Sequence, residues 1–137
     1  MGCMDGKTGV VVGIANDRSY AWFIAESIIR EGGTCLFTHL PGEKMERRAR
    51  KAIESLGVVD PWLAPMDAST DASLDEAFAA IAKKTDTLDF LVHSIAFADK
   101  DWLKEGKFTA TPREVFTQAM DISAWTYMAM ANRAVPL

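Results

Sequence analysis

The stretch GVVVGIANDRSYAWFIAESIIREGG, Gly9 to Gly33, reads as a strand, a tight loop and a helix in succession. Val10 to Val12 is a short apolar run between Gly9 and Gly13, the pattern of a strand covered on both faces. Beyond it, Gly13, Ala15, Ser19 and Ala21 keep side chains small where the chain turns. Trp22, Phe23, Ile24, Ile28 and Ile29 then lie largely on one side of a helix that Gly32-Gly33 ends. A strand passing into a helix through small residues is how an α/β sheet seats a phosphate. The backbone can approach the anion, and the helix aims free N–H groups at it. The spelling here is Gly-x5-Ser-x-Ala rather than Gly-x-Gly-x-x-Gly. A plain strand–helix turn with no ligand fits the same residues, so the rest of the chain has to decide.

Outward from this unit, strand and helix keep alternating. TCLFT, Thr34 to Thr38, is a second β-rich run; Pro41-Gly42 breaks the chain, and Met45, Ala49, Ile53 and Leu56 hold helical spacing up to Gly57. Trp62 to Met66 is a weaker third strand with Pro65 inside it and Pro61 before it. Proline cannot donate to a ladder, so this strand belongs at an edge. A helix is predicted over Asp71 to Lys84, with Ser73-x-x-Glu76 as its capping box, and Leu88 to His93 as the fourth strand. Ala98 to Thr109 reads as a charged loop, after which Thr111-Pro112-Arg113-Glu114 starts a helix with Thr111 as its N-cap. That last helix, Pro112 to about Ala134, is apolar nearly all round and implies a partner surface.

Strands joined by helices through short connections give right-handed crossovers and a parallel sheet. The expected fold is therefore α/β, a Rossmann-like three-layer arrangement. With the proline-bearing strand at one edge, its strand order is 3-2-1-4. Strands one and four then flank the switch point where such sheets bind ligands. Gly13 to Ser19, His39-Leu40, Asp67-Ala68 and His93 to Ala98 should meet there.

Composition narrows the partners. The 137 residues are expected to form a single domain, and 49% hydrophobic with 25% charged residues suits a globular chain. A net charge of −4 argues against nucleic acid, and the Lys44–Lys51 run reads as a solvated helix face. Cys3 and Cys35 form no C-x-x-C pair and have no histidine cluster near them, so no metal site is expected; Cys35 reads as a small buried thiol. No apolar run reaches membrane-spanning length and the first residues lack a secretory h-region. Position six is glycine, which weakens a myristoylation reading of the Met-Gly start. The expected setting is the cytoplasm.

Read jointly, several pieces resemble the NADH-dependent enoyl-acyl-carrier-protein reductases of bacterial fatty acid synthesis, a divergent short-chain dehydrogenase/reductase branch. They are Gly13-x5-Ser19-x-Ala21, Arg30-Glu31-Gly32, Phe37-Thr38, Met66-Asp67-Ala68, His93-Ser94-Ile95-Ala96-Phe97-Ala98 and Asp121-Ile122-Ser123. They are collinear, span almost the whole chain, and His93 to Ala98 is the most specific of them. The resemblance implies that Gly13, Ala15, Ser19 and Tyr20 line the pyrophosphate and ribose, and that Asp67 and Ala68 hold the adenine. It also implies that Ser94, Ile95 and Ala96 approach the nicotinamide ribose, with Ala96 where many relatives carry glycine.

One departure matters. The family's Tyr-x6-Lys pair stabilises the developing enolate and holds the ribose. Here Ser27 lies seven residues after Tyr20, Ala134 seven after Tyr127, and no lysine follows Lys107. The expectation is thus a first half, truncated before the fifth strand and inactive alone, for which no catalytic residue is named. The competing reading is a non-catalytic nucleotide-binding or oligomerisation module. The partners expected from the resemblance are an enoyl chain on acyl carrier protein and, through the 112–134 helix, a second copy. NADH is preferred over NADPH because Leu40 rather than a cation stands at the second strand's end, although Lys44, Arg47 and Arg48 follow. His39 reads equally as an adenine contact or a solvated loop histidine. His93 reads as a locally bonded strand-end group, and Asp99, Asp101 and Glu105 as a charged surface loop.

Overall fold

The computed structural model describes residues 1–137 as alternating strands and helices. The strands are β1 (Thr8–Val12), β2 (Thr34–His39), β3 (Leu63–Pro65) and β4 (Phe90–His93). The helices are α1 (Tyr20–Arg30), α2 (Glu43–Glu54), α3 (Asp71–Lys84), α4 (Arg113–Met120) and α5 (Thr126–Ala134). A 3₁₀ turn, Phe108–Ala110, precedes α4, and a π turn, Asp121–Trp125, joins α4 to α5. The four strands form one parallel sheet in the order β3-β2-β1-β4, as the prolines and the alternation require.

The central strand supplies both faces. Val10 and Val12 point into a core with Leu74, Phe78 and Ile81 of α3 and Met130 of α5. Val11 points the other way, into a core with Ala21 and Ala25 of α1, Phe37, and Ala49 and Ile53 of α2. Successive side chains on a strand alternate in direction, so three consecutive valines serve two cores. Trp22 fastens the second layer, its indole N–H donating to the carbonyl of Ala52 (2.8 Å) and to Ser55 Oγ (3.2 Å). Cys35 is buried as expected, and burial pushes its thiol pKa up to about 12. At the far end of the sheet Asp89 accepts from Lys7 Nζ (2.9 Å) and from the amide of Thr8 (2.8 Å), tying the start of β1 to the approach to β4.

Three local expectations change. Thr70, not Ser73, caps α3: its hydroxyl accepts from the Ser73 amide at 3.3 Å. Ser73 Oγ instead accepts from the amide of Asp67 (2.8 Å), since threonine before the first helical residue already fills the cap. Pro112, not Thr111, occupies the N-cap of α4; the Thr111 hydroxyl is spent on the carbonyl of Phe108 (2.6 Å). The last helix is also not continuous, because the π turn interrupts it.

Candidate functional site

All four strands run the same way and their ends are level. Val12 pairs with Thr38 and with His93, and His39 pairs with Pro65. The loops that leave them therefore open on one edge of the sheet. They surround a cleft of about 560 Å³.

Gly13, Ile14 and Ala15 come from the first loop, His39 and Leu40 from the second, Asp67 and Ala68 from the third, and Ser94, Ile95 and Ala96 from the fourth. Nine of the eleven residues singled out in the sequence line this space together, namely all except Ser19 and Tyr20. Ser19 stands at the N-cap of α1 without capping it; its hydroxyl donates to the carbonyl of Asn16 (2.7 Å). Tyr20 begins the helix and is exposed.

Gly13 explains why the first two loops can be so close. Its φ is +104°, and a Cβ there would run into the carbonyl of Ser94. Only glycine accepts both conditions without strain. The backbones after β1 and β4 can thus lie side by side under the cleft floor, and the amide of Ser94 donates to the carbonyl of Val12 (3.0 Å).

The polar groups have defined duties. Asp67 Oδ1 accepts from both the amide (2.9 Å) and the hydroxyl (2.6 Å) of Ser69. The hydroxyl and then the amide of Ser69 hold this carboxyl below the usual carboxylate range. Oδ2 takes no bond from the chain and stays available as an acceptor. His39 is a buried residue rather than a solvated loop histidine: it is 7% exposed and its Nδ1 donates to the carbonyl of Leu40 (2.8 Å). His93 is held locally. Thr126 Oγ1 gives its one proton to the carbonyl of Ile122 (2.6 Å), so His93 Nε2 donates in the 2.8 Å bond between them. Burial lowers the pKa of His93, and Tyr127 stacks edge-on against the ring at 5.7 Å.

Several cleft residues have no counterpart among those singled out beforehand: Thr38, Met45, Met66, Phe97, Gln118 and Ile122. Arg48 joins them from α2, exposed and in no ion pair, a cation at the lip near Leu40. Helix periodicity marked Met45 as apolar, but only the packing of α2 over β2 brings it and Arg48 to this edge. A second hollow, about 710 Å³, lies along α4 and the residue after it, lined by Arg113, Glu114, Val115, Thr117, Gln118 and Asp121. It draws on one helical face with a single hydrophobic residue, whereas the cleft gathers all four loops.

Comparison with known proteins agrees with this arrangement. A family model described as enoyl-(acyl carrier protein) reductase matches residues 13–137. Enoyl-acyl-carrier-protein reductase (NADH) 1 of Rhizobium meliloti is 38% identical over 133 residues, covering 97% of this chain and 47% of that protein. The NADH enzyme FabI of Synechocystis is 40% identical over 137 residues, covering 98% of this chain and 52% of the relative. The reductase of Anaplasma phagocytophilum, solved in complex with NAD, superposes with a TM-score of 0.88 at 39% identity, covering 98% of this chain and 50% of that one. FabI of Candidatus Liberibacter asiaticus gives 0.91 at 34% identity, covering all of this chain and 52% of its own. The chain spans about half the length of the curated relatives it matches. On its sequence, its sheet order and the loops that meet at one edge, the chain belongs to the enoyl-acyl-carrier-protein reductase family.

Proposed function

We propose that residues 1–137 form one dinucleotide-binding unit of an NADH-dependent enoyl-acyl-carrier-protein reductase, acting in fatty acid synthesis on a trans-2-enoyl chain. The observation that carries this reading is the convergence of Gly13, Leu40, Asp67 and Ile95, from four separate loops, on one cleft.

The residues fit the cofactor. Gly13 leaves open the space that a Cβ would fill, and a pyrophosphate needs such a close backbone. Ala15 continues that wall, with Ser19 and Tyr20 toward the helix start. Asp67 Oδ2 is free to accept from the adenine amine while Ala68 covers the ring, and His39 and Leu40 close that side. Ser94, Ile95 and Ala96 meet the nicotinamide ribose. Bound NADH supplies a hydride for the β-carbon of the enoyl thioester; this chain's part is to hold and orient it. NADH is chosen because Leu40 ends β2 and because the relatives carry NADH in their names.

Within these residues no Tyr-x6-Lys occurs, so the chain binds cofactor without reducing substrate. The exposed apolar side chains Phe116, Met120, Tyr127 and Met128 further support self-association through α4 and α5.

Titration with NADH and NADPH, followed by dihydronicotinamide fluorescence, tests the reading. Saturable NADH binding, weaker NADPH binding and no oxidation on adding a trans-2-enoyl thioester are expected. No binding of either overturns the reading; preference for NADPH overturns the cofactor choice, and turnover overturns the inactivity.

A further inference from the structure

The Asp121-Ile122-Ser123 piece falls on the π turn. A π turn holds an extra residue and disturbs the regular bonding of a helix, and such turns occur mostly where a protein does something with the displaced side chains. Here two side chains of one turn reach the same loop. Ser123 Oγ accepts from the amide of Phe97 (2.9 Å) and lies 3.2 Å from the carbonyl of Phe97, to which it can donate. Thr126, fully buried, accepts from His93 (2.8 Å).

Between these attachments the loop is bare. Its first amide, Ser94, is bonded to Val12, and Phe97 is held by Ser123. The amides and carbonyls of Ile95 and Ala96 make no hydrogen bond within the chain, yet both residues line the cleft. Free backbone donors and acceptors suspended between two fixed points form a surface that a polar ligand can read. Their position depends on both points staying fixed.

We propose that Ser123 is the positioning residue for the nicotinamide–ribose end of the dinucleotide site. It grips both polar groups of Phe97 and so sets the height at which the Ile95–Ala96 backbone meets the ligand. The proposal rests on the nucleotide reading above and assigns Ser123 no contact with the cofactor. It separates the two halves of the ligand: the adenine end is shaped by β2 and β3 loops that Ser123 does not touch.

The test compares the unaltered chain with Ser123→Ala and Ser123→Thr, titrated with NADH and with ADP, which carries the adenine half alone. Alanine favours helix, so fold is retained, as circular dichroism would verify. Losing the grip should weaken NADH by about tenfold, with ADP affinity kept within about twofold. Ser123→Thr, which keeps the hydroxyl, should restore NADH. In the ligand-free protein, amide exchange should quicken over 94–98 in Ser123→Ala only. Unchanged NADH affinity, or equal loss for NADH and ADP, overturns the proposal. If the unaltered chain binds neither ligand, the nucleotide reading falls on its own account. Amide exchange then decides the grip: faster exchange confined to 94–98 upholds it, and unchanged exchange removes it.

Discussion

The carbonyl of Ser94 stands where the side chain of residue 13 would begin, so Gly13 and Ser94 share a contact that no other residue type permits. This contact brings the loops after the two neighbouring strands together and makes one cleft of them. Gly13→Ala adds a clash to a φ of +104°. It should cost about 3 kcal/mol in urea unfolding and abolish nucleotide binding. A variant as stable as the parent would show that the two loops separate freely.

Asp67 has one oxygen engaged by Ser69 and one open to the cleft. Its pKa is lowered, so its contribution to stability is complete above the ordinary carboxylate range and is lost as pH falls through the lowered value. Asp67→Asn should flatten the acid limb of a stability profile below about pH 4. Asp67→Ala should also erase any preference for NADH over its hypoxanthine analogue, whose six-position carries an oxygen instead of an amine. Retained discrimination in Asp67→Ala would remove the adenine role.

His93 is driven toward its neutral form by burial. The unfolded chain takes up a proton first as pH falls, so the stabilisation is whole above the unfolded pKa of about 6.5 and shrinks below it. The imidazole resonances should titrate below that value. Thr126→Val leaves the Nε2–H without its acceptor and should cost about 1–2 kcal/mol, whereas Thr126→Ser should be close to neutral. An imidazole titrating above 6.5 would contradict the burial argument.

The order of the sheet was legible because Pro61 and Pro65 forbid a central position for β3 and because Val10 to Val12 can only be a covered strand. The loops of the cleft were legible for the same reason: once the order is fixed, parallel strands place their ends together. The caps were misplaced by one to three residues because threonine, serine and proline crowd both helix starts, and competing hydroxyl bonds decide among them. Nothing in Asp-Ile-Ser-Ala-Trp marks a π turn, since each residue is compatible with an ordinary helix. Arg48 and Gln118 reach the cleft through the packing angles of α2 and α4, which spacing along the chain does not encode.

Met130 is fully buried against the sheet with Val10, Val12 and Leu74. Met130→Ala should cost about 3 kcal/mol by chemical denaturation, most of it as a cavity between α5 and α3. By contrast Asp75→Asn, which breaks a 2.7 Å bond from Arg133 at an exposed carboxylate, should change stability by less than about 1 kcal/mol. Reversal of that ranking would mean that α5 is held by its charges rather than by its apolar face.

Self-association through α4 and α5 predicts that Phe116→Glu combined with Met128→Glu yields a monomer by light scattering, while the unaltered chain gives a larger species. Both positions are 61% exposed, so neither change should disturb the core. An unaltered chain that stays monomeric at high concentration would refute the association.

The extra residue of the π turn also sets the phase of everything after it. An α-helix advances about 100° per residue, so deleting Ala124 would let α4 run straight into α5 at the expense of turning the second helix by roughly a quarter of its circumference. Met130 would swing off the sheet and Thr126 away from His93. A single-codon deletion in this helix is therefore a rotation of its whole C-terminal half, and insertions or deletions should be far less tolerated between 121 and 125 than substitutions at the same places.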